Sequence, residues 1–203
     1  MKLTTEQATT PRRRGRLLRW SQRLLFMTGI LALGYVGFTM LDARLYQESA
    51  KRSLASQIQV EKAPHAIQIA PAIKTGDVLG RLDIPRLGLS VAVLQGTSSR
   101  MLRLGAGHIG GTPLPGEAGN SAIAGHRDTF FRGLKDIRTS DEIQFQTATG
   151  QSRYQVDWAK VVEPNDTSVL APSTQSELTL VTCYPFYYVG PAPNRFVVRA
   201  HRY

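Results

Sequence analysis

A mostly β domain, either an antiparallel sandwich or a closed barrel, carried behind one N-terminal transmembrane helix, is the fold that the sequence predicts. Three observations lead there. After Gly76 the chain breaks into short β-branched runs punctuated by Gly, Pro, Asn and Asp. Near the N-terminus, 18 consecutive residues carry no charge. The 203 residues, 42% of them apolar, suffice for one core with appendages.

Residues 1–23 form a basic tail, with Lys2, Arg12, Arg13, Arg14, Arg16, Arg19 and Arg23 set against Glu6 alone. Residues 24–41, Leu24 to Leu41, are the uncharged stretch. They span a hydrocarbon core of about 30 Å with help from Trp20 and the flanking arginines. A cleaved signal peptide has a shorter apolar region and a small-residue cleavage site, and a buried soluble helix has no use for seven basic residues on one side. The segment therefore reads as an uncleaved signal anchor, single-pass, with the N-terminus cytoplasmic by the positive-inside rule and the rest extracytoplasmic. Residues 42–75 read as a juxtamembrane helix and then a linker, broken at Pro64 and Pro71.

Residues 76–203 form the β domain in this reading. Strand-like runs cover Val78 to Ile84, Leu89 to Leu94, Ser121 to Ala124, Glu142 to Thr147, Tyr154 to Val162, Leu178 to Thr182 and Phe196 to His201. Short helices are expected at Ser99 to Leu104 and Thr129 to Leu134, with Asp128 as the cap of the second. The formal net charge of +10 is concentrated in the tail. From Gly76 onward 13 Lys and Arg face 11 Asp and Glu, a balance that leaves no broad basic face for a nucleic-acid backbone.

One cysteine, Cys183, excludes an intramolecular disulfide and any multi-cysteine zinc site. It ends the apolar run Thr179-Leu180-Val181-Thr182-Cys183 just before Tyr184-Pro185-Phe186. A free cysteine in a strand is ordinarily a small buried hydrophobe, so the alternative of a nucleophile needs partners. Three separated segments supply a context: Gly119-Asn120-Ser121-Ala122-Ile123-Ala124-Gly125-His126-Arg127, then Leu178 to Cys183, then Asn194-Arg195-Phe196-Val197-Val198, with Leu82-Asp83-Ile84-Pro85-Arg86-Leu87 ahead of them. In this order the region from Gly76 to Tyr203 resembles the sortases, membrane-anchored cysteine transpeptidases of bacterial surfaces. Tyr184-Pro185-Phe186 after the cysteine and Arg127-Asp128-Thr129 after the histidine resemble class D.

The resemblance implies a closed β-barrel of about eight strands with short helices. It also implies Cys183 as nucleophile on the carbonyl of a sorting-signal peptide, His126 as proton donor and acceptor, and Arg195 as the group that holds the peptide backbone and a developing oxyanion. Side-chain chemistry agrees: a thiol attacks as thiolate, an imidazole exchanges protons near neutral pH, and a guanidinium stays charged and donates in a fixed plane. Thr182, Tyr184, Pro185 and Phe186 are the candidate substrate-binding residues. The aromatic connector from Tyr184 to Asn194 is read both as a cover on the barrel edge and as a wall for an apolar, proline-containing peptide. His108 sits in a glycine-rich loop and is a further candidate for substrate contact, while Arg199 and Arg202 read as solvated charges at a strand end.

The implied partners are secreted proteins with a C-terminal sorting signal, an amine acceptor of the cell envelope, and the bacterial cytoplasmic membrane; no nucleic acid is implied. No cofactor is required and no metal is assigned. Calcium stimulation, known in some sortases, stays open here on the scattered carboxylates Glu117, Asp141, Glu142, Glu163 and Asp166, which lack EF-hand-like spacing. Two other readings remain. The same thiol and imidazole would serve a membrane-tethered endopeptidase that hydrolyses the intermediate, and the aromatic loop would serve a non-catalytic envelope module that grips a peptide.

Overall fold

The computed structural model describes Trp20, residues 22–38 and 40–42, Leu45, Glu48 and residues 73–203. Most of the basic tail expected over 1–23 and of the juxtamembrane helix and linker expected over 42–75 lies outside the described residues. Helix α1, Gln22–Asp42, is long and apolar enough to cross a membrane, and its leucines, Phe26, Ile30 and Phe38 are exposed.

The second unit closes on eight strands: β1 Val78–Ile84, β2 Leu89–Gln95, β3 Ala106–His108, β4 Gly119–Gly125, β5 Glu142–Gln146, β6 Gln151–Val162, β7 Ser176–Tyr184 and β8 Asn194–Arg202. Around the barrel they run β1-β2-β3-β4-β7-β8-β6-β5, and β5 closes onto β1. Six of them send alternate apolar residues into one core: Leu82 and Ile84, Val91 and Val93, Ile143 and Phe145, Tyr154 and Val156, Leu178 and Leu180, Val198 and Ala200 are buried together, with Ala106 of β3 and Ile123 of β4. Burying each larger aliphatic or aromatic side chain among them contributes about 1.5–3 kcal/mol. Gly80 permits closure, since a Cβ there would lie 2.4 Å from the Gln146 carbonyl oxygen of β5.

The closed barrel expected from the sequence is present, with two departures from an antiparallel sheet. β2 pairs with β3, and β4 with β7, in parallel. Strand β3 was not among the expected runs; its three residues sit among glycines, Gly105 and Gly107 included, which mask a β signal. Helix α2, Ser99–Leu104, forms where expected, with the Ser98 side chain accepting from the Met101 N–H. The second expected helix is displaced: residues 127–131 are turn, and a 3-10 helix covers Arg132–Asp136. Asp128 does not cap it, for Phe131 occupies the cap position and no side chain bonds there.

The turn after β1 is locked to the start of β5 by charge. Arg86 donates through Nε and Nη2 to the two carboxylate oxygens of Asp141, the second at 2.6 Å, and Nη2 also reaches the Asp136 carbonyl at 2.6 Å. The Arg138 N–H adds a bond at 2.8 Å to Asp141, which is 7% exposed. The Arg86 hydrogen bonds, assisted by the Arg138 amide against the opposing effect of burial, hold the Asp141 carboxyl below its ordinary value. A depressed folded-state value makes this stabilisation complete above the unfolded value near pH 4 and removes it as the pH falls further. Asp141→Asn is expected to cost about 2 kcal/mol at neutral pH. Urea titrations of the full-length protein in detergent, repeated from pH 7 to pH 3, check this by a smaller acid-dependent loss in the variant than in the wild type.

Candidate active site

The topology gathers the three residues singled out by their motifs. In the parallel β4–β7 pair the last partners are Gly125 and Thr182, so His126 and Cys183 follow side by side. In the antiparallel β7–β8 pair Cys183 stands directly opposite Arg195, and such partners carry their side chains on one face with Cβ atoms about 4.5–5.5 Å apart. Leu178, Leu180 and Val198 point into the core, so by alternation Cys183 and Arg195 project from the outer wall. His126, Cys183 and Arg195 are all partly exposed. Imidazole, thiol and guanidinium thus stand in a row across three neighbouring strand ends.

Local sequence sets each of them. A Cβ on Gly125 would lie 2.7 Å from the ring of Phe131, a fully buried side chain, so only glycine lets that ring pack beneath the residue before His126. The Phe131 N–H then donates to the His126 carbonyl at 3.0 Å and turns the chain back. Thr182, 3% exposed, donates its hydroxyl to the Gly125 carbonyl at 2.7 Å. This corrects the expectation that the Thr182 hydroxyl meets substrate, because its donor is committed to holding β4 against β7. Arg195 donates through Nη1 to the carbonyls of Asn194 at 3.0 Å and Ala192 at 3.3 Å. Tyr184, Pro185 and Phe186 are half-buried beside the thiol, and the Tyr184-Pro185 peptide bond is cis. The Phe186 ring lies 6.0 Å from that of Tyr184 and 5.2 Å from that of Phe196, centre to centre.

The Sortase domain family matches residues 82–203, from β1 to the end of β8. The chain belongs to the sortase family. Sortase D of Bacillus subtilis (strain 168) is 29% identical to it over 88% of this chain and 95% of that protein. A Clostridium perfringens Sortase D5 transpeptidase superposes with a TM-score of 0.63 at 27% identity, covering 79% of this chain and 97% of the other. The structure of Clostridium perfringens sortase C with the C-terminal cell wall sorting motif matches with a TM-score of 0.61 at 28% identity, covering 76% of this chain and 86% of that one. The protein is thus a cysteine transpeptidase, most like class D.

On the outer wall of this sortase, below the row of His126, Cys183 and Arg195, sequence reasoning missed an anchored segment. Asn120 donates to the carbonyls of Val169 and Ala171 at 3.0 and 3.1 Å and accepts from the Thr179 hydroxyl at 2.6 Å. Arg199 pairs with Glu177 and donates to the Val169 carbonyl at 2.7 Å. These bonds fasten the 3-10 turn Ser168–Leu170 over β4, β7 and β8. Arg199 is therefore no solvated charge, its side chain being 13% exposed, and Arg202 donates to the Gly116 carbonyl at 2.7 Å. No signal marked this segment in the sequence, where Asn120 and Thr179 read as ordinary polar residues of a water-facing wall.

His108 is structural rather than substrate-facing. It is 2% exposed, with Nδ1 2.9 Å from Gln95 Oε1 and Nε2 2.9 Å from the Pro113 carbonyl. Among the described residues no group of three His, Cys, Asp or Glu side chains is placed to hold a metal ion. Four of the five carboxylates considered for calcium accept hydrogen bonds within the protein: Asp141 holds Arg86, Glu117 accepts from the Leu114 N–H, Glu142 accepts from Gln144, and Asp166 accepts from the Ser168 N–H. A cavity of about 480 Å³ lined by Ile73, Leu79, Phe145 and Arg202 opens at the other end of β8 from Arg195, away from the thiol.

Proposed function

We propose that this sortase cleaves a C-terminal sorting motif of secreted proteins and joins the released acyl group to an amine of the cell envelope. Cys183 is the nucleophile. Its thiolate adds to the scissile carbonyl carbon, and collapse of the tetrahedral adduct breaks the C–N bond as His126 gives a proton to the departing amine. The acyl group is then a thioester on Cys183. An incoming amine attacks that thioester, His126 takes its proton, and the thiolate leaves. Arg195 supplies hydrogen bonds and positive charge to the oxyanion in both halves, and Tyr184, Pro185 and Phe186 line the peptide. The observation that carries this reading is the register that sets Cys183 between His126 and Arg195. The basic residues ahead of α1 support a cytoplasmic N-terminus and an extracytoplasmic barrel.

The test supplies a library of short, apolar, proline-containing peptides and an amine nucleophile to the full-length protein and identifies products by mass spectrometry. A ligated product is expected. Hydrolysis alone, at saturating amine, would favour the tethered endopeptidase, and binding without cleavage the non-catalytic module. The chemistry needs no metal, so equal cleavage rates with calcium and with a chelator are expected; a rise with calcium would assign it a role in ordering the groove.

A further inference from the structure

The connector between β7 and β8 is exposed at its tip, where Tyr187 and Val189 are 73% and 97% accessible, yet its backbone is gripped from both flanks. Arg127, the residue after His126, donates from Nη2 to the carbonyls of Tyr188 at 2.7 Å and Gly190 at 3.0 Å. Its guanidinium carbon lies 5.8 Å from the centre of the Tyr188 ring. Arg195 takes the next alternate carbonyl, that of Ala192. Arg132 adds only a contact with the Tyr187 ring, at 5.8 Å. Among the described residues, no side chain other than Arg127 donates to a backbone carbonyl of residues 186–191.

We infer that Arg127 is a positioning residue, which fixes the β7–β8 connector and the peptide-facing wall at its base against the His126 and Cys183 pair. The inference rests on the proposed reading of that pair. Arg127 suits the task for three reasons. A guanidinium stays charged at every working pH, and its flat group rests on an aromatic face while one nitrogen, Nη2, donates to two carbonyls, a combination that an ammonium on a flexible stem holds less well. Its backbone is joined to His126, whose carbonyl is held by Phe131, so the imidazole and the connector are referred to one rigid point. Without the guanidinium, a peptide would have to order the connector as it binds, and that cost falls on association rather than on bond breaking.

The experiment compares the full-length wild type with Arg127→Ala and Arg127→Lys, using the best-cleaved member of the peptide library. Arg127→Ala is expected to raise KM about tenfold and leave kcat within about twofold. Amides of residues 186–191 are expected to exchange faster in the variant, while the pH profile of Cys183 alkylation by iodoacetamide stays in place. Arg127→Lys is expected to recover part of the lost KM. An unchanged KM with unchanged exchange would overturn the inference, as would a fall in kcat with a displaced alkylation profile, which would make Arg127 part of the chemistry. If the wild type itself forms no acyl-enzyme, the proposed function fails, and hydrogen exchange over 186–191 still decides whether Arg127 holds the connector.

Discussion

Cys183→Ala is expected to lower peptide cleavage by at least about 10⁴-fold while leaving peptide affinity and thermal stability close to those of the wild type. The size of the effect follows from the role proposed for the thiol. Covalent attack divides amide cleavage into two easier steps, and no other described side chain at the three strand ends offers a comparable nucleophile. The selectivity of the effect follows from where the thiol lies. Cys183 is partly exposed on the outer wall and outside the core formed by Leu178, Leu180 and Val198, so removing its sulfur opens no large cavity. Parallel measurements of peptide turnover, of binding by fluorescence anisotropy and of the melting temperature separate this loss of chemistry from a loss of fold.

Arg195→Lys is the second large effect, with kcat falling by about 10²–10³-fold and KM changing far less. The substitution keeps the charge, so simple electrostatics would forgive it. The geometry does not. Arg195 faces Cys183 across β7 and β8 and spends Nη1 on the Ala192 and Asn194 carbonyls, which holds the guanidinium plane while its other donors stay available. An ammonium that satisfies one carbonyl presents no second fixed donor to an oxyanion. Steady-state kinetics with the same peptide check this, and a preserved rate of Cys183 alkylation by iodoacetamide would show that the thiol itself is unaltered. A lysine variant with near wild-type kcat would reduce Arg195 to a tether for the loop.

Much of the barrel was legible because its strands alternate, and alternation is local. Val78 to Ile84 was bounded correctly, and the runs around Leu89, Glu142 and Leu178 fell within a few residues of the strands that form. Pairing was not legible, since the partner of β4 is β7, more than fifty residues later, and nothing in Ser121 to Ala124 says that it will run parallel to Leu178 to Thr182. Strand β3 escaped because glycines carry no side-chain pattern. The candidate site was legible as three motifs but not as a surface: His126, Cys183 and Arg195 announce themselves by chemistry and context, whereas Thr182 could be placed inside the wall only once the bond to Gly125 was seen. Arg127 and Arg199 were hidden for a related reason. An arginine next to a motif or near a strand end looks solvated until the carbonyls it holds, those of Tyr188, Gly190 and Val169, are brought to it by the fold.

The measurement that bears most directly on the central claim is the intact mass of the full-length protein during turnover of the cleaved peptide, followed by mapping of the modified residue. A transient mass gain equal to the N-terminal acyl fragment is predicted, located on Cys183, discharged by hydroxylamine or by the amine acceptor, and absent from Cys183→Ala. Cleavage that proceeds with no adduct on Cys183, or an adduct that persists in the alanine variant, would contradict it.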